Sequence, residues 1–240
     1  WPQSVNLSTV GGWLACRGAG QYSTRYGKIE DMVVGLEAVL ADGSVVRTGS
    51  SPRQAAGPDL NQLLVGSEGT LGVIHEATLR LHPLPRAERR AAYQFPTFAD
   101  GLDVCRRILR RGATPAVLRL YDDRESKRYL GENERNNCVL LVLDEGDRGL
   151  IDAVFEIVAE ECRGAHRLAE EFVGQWLEHR NEVSALEAAI RQDVVVDTTE
   201  IAARWSAIPA IYDAGRAGPH AVPSISVASA PPTPRCPDDA

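Results

Sequence analysis

Gly66-Ser67-Glu68-Gly69-Thr70-Leu71-Gly72-Val73-Ile74 is the stretch on which the fold turns. Three glycines interleaved with Ser and Thr run into a β-branched pair. Glycine permits positive φ and close backbone approach, so such a loop can offer N–H and C=O groups to a polar ligand. It lacks the lysine that follows the last glycine of a Walker loop. It also enters a strand, where the Rossmann fingerprint opens a helix. Spacing alone leaves a structural turn and a ligand loop equally open.

Upstream, Ser8-Thr9-Val10-Gly11-Gly12-Trp13-Leu14-Ala15 admits two readings. One is hydroxyl donors beside glycines that let a flat ring approach. The other is a helix start with Ser8 or Thr9 as cap and Trp13 as core. Between the clusters, Met32–Leu40, the turn Asp42-Gly43 and Ser44–Arg47 spell a β-hairpin. Asp59 caps a short helix to Val65, and Val73–Leu81 alternates as a strand that stops at Pro83 and Pro85.

Beyond those prolines the period changes. Arg90–Phe95 reads as a strand, and Phe98, Leu102, Cys105, Ile108 and Leu109 as a helix ended by Gly112. Ala116–Tyr121 is a strand, Asp122–Asn137 a short helix and loop, and Cys138–Leu143 an apolar strand. Ile151, Val154, Phe155, Val158 and Cys162 mark an amphipathic helix. This is the opening of an α+β domain of split β-α-β type. Later expectations are helices over Glu170–His179, Val183–Gln192 and Ile201–Ala214, a strand over Val194–Thr198, and a disordered Pro-rich tail over 216–240.

Composition bounds the function. The 240 residues suffice for one or two domains at roughly 150 residues each. A formal net charge of −7 argues against a nucleic-acid partner. No apolar run approaches the ~18 residues of a membrane span. Five cysteines without a CxxC pair argue against a disulfide framework or a zinc finger, and for buried thiols in a reducing cytoplasm. The histidines form no metal motif, so no metal site is expected. Of the 26 basic residues only Lys28 and Lys127 are lysines, a bias that fits a GC-rich genome and by itself says nothing of function.

Four motifs in order make the chain recognisable: Ser8–Trp13, Tyr26-Gly27-Lys28-Ile29-Glu30-Asp31, Gly57-Pro58-Asp59-Leu60 and Gly66–Ile74. The chain resembles the FAD-linked oxidases of the vanillyl-alcohol oxidase type, on the alkyldihydroxyacetonephosphate synthase-like branch. The resemblance implies an α+β fold. Residues 1–85 would form the second half of the FAD-binding domain, and 86–215 a partial ferredoxin-like cap.

FAD is the implied cofactor. Ser8, Thr9, Gly11 and Gly12 match the segment lining the flavin, and Cys16, Arg17, Gly18 and Ala19 a second contacting turn. Glu68, Gly69, Thr70, Leu71, Gly72, Val73 and Ile74 match the loop that holds the cofactor. Arg119, in Pro115–Asp122, matches a substrate-binding arginine, and a guanidinium fork suits a phosphate or carboxylate.

The implied substrate is a small alcohol, 2-hydroxy acid or acyl-glycerone phosphate. The implied reaction is two-electron oxidation or, on the synthase-like branch, exchange of an acyl chain for an alcohol. A D-lactate or glycolate dehydrogenase-like fragment and a non-catalytic remnant stay open as alternatives. Family members carry a further half-domain with most of the diphosphate contacts before the segment matching Trp1, so weak or absent FAD retention is expected. The tail reads as a frame-shifted or divergent end, and a homodimer is one open assembly state.

Overall fold

The computed structural model describes residues 2, 4–49, 51, 55–130, 137–184, 188, 190–192, 200–217 and 226–228. The chain divides into two compact units between Leu84 and Pro85. The expected strand over Val194–Thr198 and most of the expected tail lie outside the described residues, as does part of the Val183–Gln192 helix.

In the first unit the order is α1 (Val10–Ala15), α2 (Ser23–Tyr26), α3 (Ile29–Met32), β1 (Val33–Val39), β2 (Val45–Arg47), α4 (Leu60–Leu64) and β3 (Val73–Leu79). Its sheet is antiparallel, with β1 between β2 and β3. The Asp42-Gly43 turn works as the sequence suggests: Gly43 takes φ 83°, and Asp42 Oδ1 accepts from the Ser44 amide at 2.9 Å. Val39 then faces Val45 on one side and Val73 on the other. Met32 ends α3 and does not open β1. Leu14, Ile29, Val33, Leu36, Ala38, Leu64 and Val65 form the core, with Trp13 and Ile74 partly buried against it. Thr9 and Asp59 cap α1 and α4, accepting backbone amides. Each cap is worth about 1 kcal/mol over alanine.

The second unit runs β4 (Ala87–Phe95), α5 (Phe98–Arg110), β5 (Val117–Tyr121), α6 (Asp123–Leu130), β6 (Cys138–Gly146), α7 (Arg148–Glu161), β7 (His166–Leu168), α8 (Glu171–His179), α9 (Ile208–Ala217) and β8 (Ser226–Ala228). Its sheet order is β7-β4-β6-β5-β8, with every neighbour antiparallel. Because β6 lies between β4 and β5, the β4-α5-β5 unit is split, the ferredoxin-like arrangement. Val139 to Leu143 are wholly buried, so β6 is covered on both faces and reads as a continuous apolar run. On one face α5 and α7 contribute Phe98, Leu102, Cys105, Ile108, Ile151, Phe155 and Val158 to a core with Leu118, Leu120, Leu140 and Val142.

Three sequence expectations need correction. The helix expected from Ile201 begins at Ile208, because Pro209 is tolerated only in a first turn. Ser226–Ala228 pairs with Tyr121–Arg119 as an edge strand, so these three residues of the expected tail are ordered by the open edge of β5. Cys105, Cys138 and Cys162 are buried as expected, but Cys16 is exposed. It follows the last residue of α1, where the side chain leaves the core face.

Candidate functional site

The glycine loop is fastened to α1. The last carbonyls of a helix lack partners within it, and here the loop supplies them. The Gly66 amide donates to Leu14 O at 2.8 Å and the Glu68 amide to Ala15 O at 3.1 Å. Cys16 caps α1, and the Gly18 amide closes the turn on Trp13 O at 2.8 Å. Helix, turn and loop are therefore one module. The loop meets the C-terminal end of α1, whereas Ser8–Gly12 lie at its N-terminal end. At ~1.5 Å rise per residue the six-residue helix separates them by about 9 Å.

Within this module the expected contact residues divide into two sets. Ser8 is turned inward, accepting from Trp13 Nε1 at 2.6 Å and donating to Ser4 O at 2.9 Å. Thr9 Oγ1 accepts the Gly12 amide at 3.1 Å as the helix cap. The segment is a capped helix start that exposes glycines, with both hydroxyls engaged within the chain. Arg17 lies in the left-handed region, φ 52°, with its guanidinium on Gln62, and Ala19 is half-buried. Glu68, at φ 48°, Gly69, Thr70, Leu71 and Val73 are exposed. Thr70 Oγ1 donates to Ser67 O at 2.6 Å, Gly72 sits against Val39 O, and Ile74 packs on the core.

Whether this module suits FAD can be tested on its glycines. Apart from the helix's own backbone, a Cβ built at Gly11 or Gly12 meets only Thr9 Oγ1, at 3.9 and 3.5 Å. Each glycine costs a helix roughly 0.5–1 kcal/mol against alanine, and among the described residues nothing requires it. The pair leaves open space that an outside group could approach closely. Among the described residues the amides of exposed Gly69 and Leu71 have no partner in the chain, which leaves donors for a polar ligand. The residues fit the cofactor.

In the second unit Arg119 sits on β5 between buried Leu118 and Leu120. Their side chains face α5 and α7, so Arg119 faces the other side of the sheet with Tyr121. Its Nε donates to the Tyr121 hydroxyl at 2.8 Å, and its guanidinium carbon lies 5.0 Å from that ring's centre. Burial pushes the Tyr121 hydroxyl up, and Trp176 of α8 also hydrogen-bonds to it. No local spacing links Trp176 to Tyr121 in the sequence.

Two histidines have partners within the first unit: His75 Nε2 lies 2.7 Å from Glu37 Oε1, and His82 packs edge-on to Tyr26. Arg47 beside Glu37 holds its carboxyl below the usual range. Among the described residues no cluster could hold a metal ion.

A glycine-walled α+β module followed by a split β-α-β domain defines a class, the two-domain flavoproteins. Two family profiles match the chain: "FAD binding domain" over residues 1–49, and "FAD linked oxidases, C-terminal domain" over residues 84–221. The chain belongs to the FAD-linked oxidase family, on its alkyldihydroxyacetonephosphate synthase-like branch. The family's cofactor is FAD.

The uncharacterized FAD-linked oxidoreductase YgcU of Escherichia coli O157:H7 is 36% identical over 224 residues, covering 88% of this chain and 46% of the relative. Alkyldihydroxyacetonephosphate synthase of Caenorhabditis elegans is 40% identical over 122 residues, 51% of this chain and 20% of the relative. Glycolate oxidase subunit GlcD of Bacillus subtilis is 30% identical over 224 residues, 86% and 48%. A solved alkyldihydroxyacetonephosphate synthase superposes with TM-score 0.71 at 27% identity, covering 90% of this chain and 46% of that one. The chain thus spans about half the length of the relatives it matches most fully.

Proposed function

We propose that the protein is an FAD-dependent enzyme of the oxidoreductase family whose substrate carries a carboxylate or phosphate: a 2-hydroxy acid, oxidised at its hydroxyl, or an acyl-glycerone phosphate, whose acyl chain is exchanged for an alcohol with no net oxidation. When bound, FAD supplies a two-electron acceptor. Gly11 and Gly12 leave room for it along α1, and the Gly69 and Leu71 amides donate to its polar groups. The flavin-contacting set is Gly11, Gly12 and Glu68–Ile74, with Ser8 and Thr9 holding the helix start. Arg119, held by Tyr121, offers its planar fork to the substrate's anionic group.

The substrate class draws on the relatives. The synthase and the glycolate oxidase subunit are named for compounds bearing a phosphate and a carboxylate. Cytoplasmic placement belongs to the same proposal; among the described residues no helix is long and apolar enough to cross a membrane.

The observation that carries the reading is the exposed Gly11-Gly12 pair, sterically unneeded within its own unit, on the helix to which the glycine loop is tied. Titrating the purified chain with FAD gives saturable quenching of flavin fluorescence. Gly12→Val, which fills the open position without touching the core, abolishes it. Quenching that never saturates, or that survives Gly12→Val unchanged, overturns the reading. Substrate class is read separately, in flavin-loaded protein. Arg119→Lys raises KM for the anionic substrate about tenfold, because a point charge replaces the fork, and an unchanged KM removes that role.

A further inference from the structure

Arg17 occupies a position that the helix would rather give to glycine. It follows the C-cap of α1 with φ 52°, in the turn that the Gly18 amide closes on Trp13 O. At this site glycine carries no penalty for the left-handed conformation and other residues do. The side chain explains the choice. Nη2 donates to Gln62 O at 2.6 Å and Nη1 to Gln62 Oε1 at 3.1 Å, on α4. Nη1 also lies 3.8 Å from Glu30 Oε1, which pairs with Lys28 Nζ at 3.0 Å. Gln62 Nε2 in turn donates to Glu30 O at 3.0 Å.

Between these anchors the arginine stem lies flat on the glycine loop. A Cβ at Gly66 would come within 2.6 Å of Arg17 Cγ and 2.7 Å of its Nε. Gly66 itself takes φ 82°. The stem therefore presses on the loop residue whose amide, with that of Glu68, ties the loop to the end of α1.

We infer that Arg17 is a positioning residue: a strut from α4 across Gly66 that sets the loop against α1, and not a group that touches the cofactor. This role differs from the expected flavin contact of Arg17, and it rests on the functional reading only for its consequence, the spacing between the loop and Gly11-Gly12. A planar fork bridging a backbone carbonyl and a side-chain amide does what lysine cannot. No local periodicity could have found it, since Arg17 and Gln62 are 45 residues apart.

Arg17→Gly is the deciding variant, because it removes the strut while relieving the left-handed strain. Residue-resolved hydrogen exchange of the chain, without FAD, should show the Gly66 and Glu68 amides exchanging about tenfold faster. Amides of β1 should be unchanged. Arg17→Lys, which keeps the charge near Glu30, should behave like Arg17→Gly. A strut of no consequence gives unchanged or slower loop exchange in Arg17→Gly and overturns the inference, as does full rescue by lysine. General acceleration that includes β1 also overturns it, in favour of a merely structural role.

With FAD added, affinity should fall by about the same tenfold factor as the loop is released. Loss of affinity with unchanged loop exchange would instead mean that Arg17 contacts the cofactor, and would overturn the inference. If the wild-type chain binds no FAD, the functional reading fails, yet the exchange experiment still decides the strut.

Discussion

Gly72→Ala tests how the loop enters the sheet. A Cβ at Gly72 would lie 2.7 Å from Val39 O, 3.2 Å from Leu40 Cδ2 and 3.3 Å from Val39 C. Ordinary contact begins at 3.4 Å, so the methyl must gain about 0.7 Å against a carbonyl of the central strand. Val39 pairs with both Val45 and Val73, so it cannot yield without disturbing one partner.

Overpacking costs about 1–3 kcal/mol and the strained ladder bond about 1 kcal/mol. A stiffer unfolded chain returns about 0.4–1 kcal/mol, leaving a net loss of about 1–3.5 kcal/mol. Gly69→Ala is the control. Its Cβ would meet nothing, and only φ 80° opposes it, at about 1–2 kcal/mol before the same unfolded-state offset. Hydrogen exchange of the β1 amides reads the difference: about 5- to 300-fold faster in Gly72→Ala, at about tenfold per 1.4 kcal/mol. Exchange within threefold of wild type, or a larger effect from Gly69→Ala, would refute the packing argument.

Other consequences follow from the second unit. Asp122 is buried at 1% exposure, with Oδ2 3.0 Å from Arg216 Nη1 and 3.4 Å from the Tyr212 hydroxyl, and Tyr212 stacks on Phe98. Arg216→Ala therefore leaves a buried carboxylate without its cation and should cost about 2 kcal/mol in urea unfolding; a loss below ~0.5 kcal/mol would show the pair to be idle. Native alkylation followed by mass spectrometry should modify exposed Cys16 before Cys105, Cys138 and Cys162. Burial pushes the Cys138 and Cys162 thiols up to about 12 and that of Cys105 higher, so labelling of these three before Cys16 would contradict the packing.

Arginines lower three carboxyls in the second unit: Arg107 beside Glu161, Arg106 beside Asp103, and Arg216 beside Asp123. Groups whose acidity is raised by folding stabilise the protein above their ordinary values, 4.5 for Glu161 and 3.8 for the aspartates. That stability is lost as pH falls through the lowered values. Unfolding midpoints should be level above pH 4.5 and fall below it. Arg107→Met should make the fall shallower; an unaltered slope would discount the Glu161 pair.

Local chemistry made much of the fold legible. Asp42-Gly43 announces its hairpin, Thr9 and Asp59 their caps, and the unbroken apolar run from Cys138 its buried strand. Each signal is carried by neighbours in sequence. What stayed hidden depends on distant partners. Ser226–Ala228 has no periodicity of its own and becomes a strand by meeting the open edge of β5. The α9 start is set by Pro209, which spacing of apolar residues ignores.

At the site, the glycines are visible as composition, but their reasons differ. Gly72 answers to Val39, Gly66 to Arg17, and Gly11 and Gly12 to nothing within their unit. The open positions at Gly11, Gly12 and Gly69 speak for a ligand, and only tertiary contacts separate them from the others. Ser8 was legible as a polar group beside glycines, yet its hydroxyl is spent on Trp13 and Ser4.

Glycine-selective ¹⁵N labelling with FAD titration tests the shared wall most directly. The amide signals of Gly11, Gly12, Gly69 and Gly72 should shift together along one binding curve, while Gly43 in the hairpin turn of the same unit stays fixed. Loop and helix glycines that report separate constants, or stay still while the hairpin turn moves, would contradict a single cofactor surface.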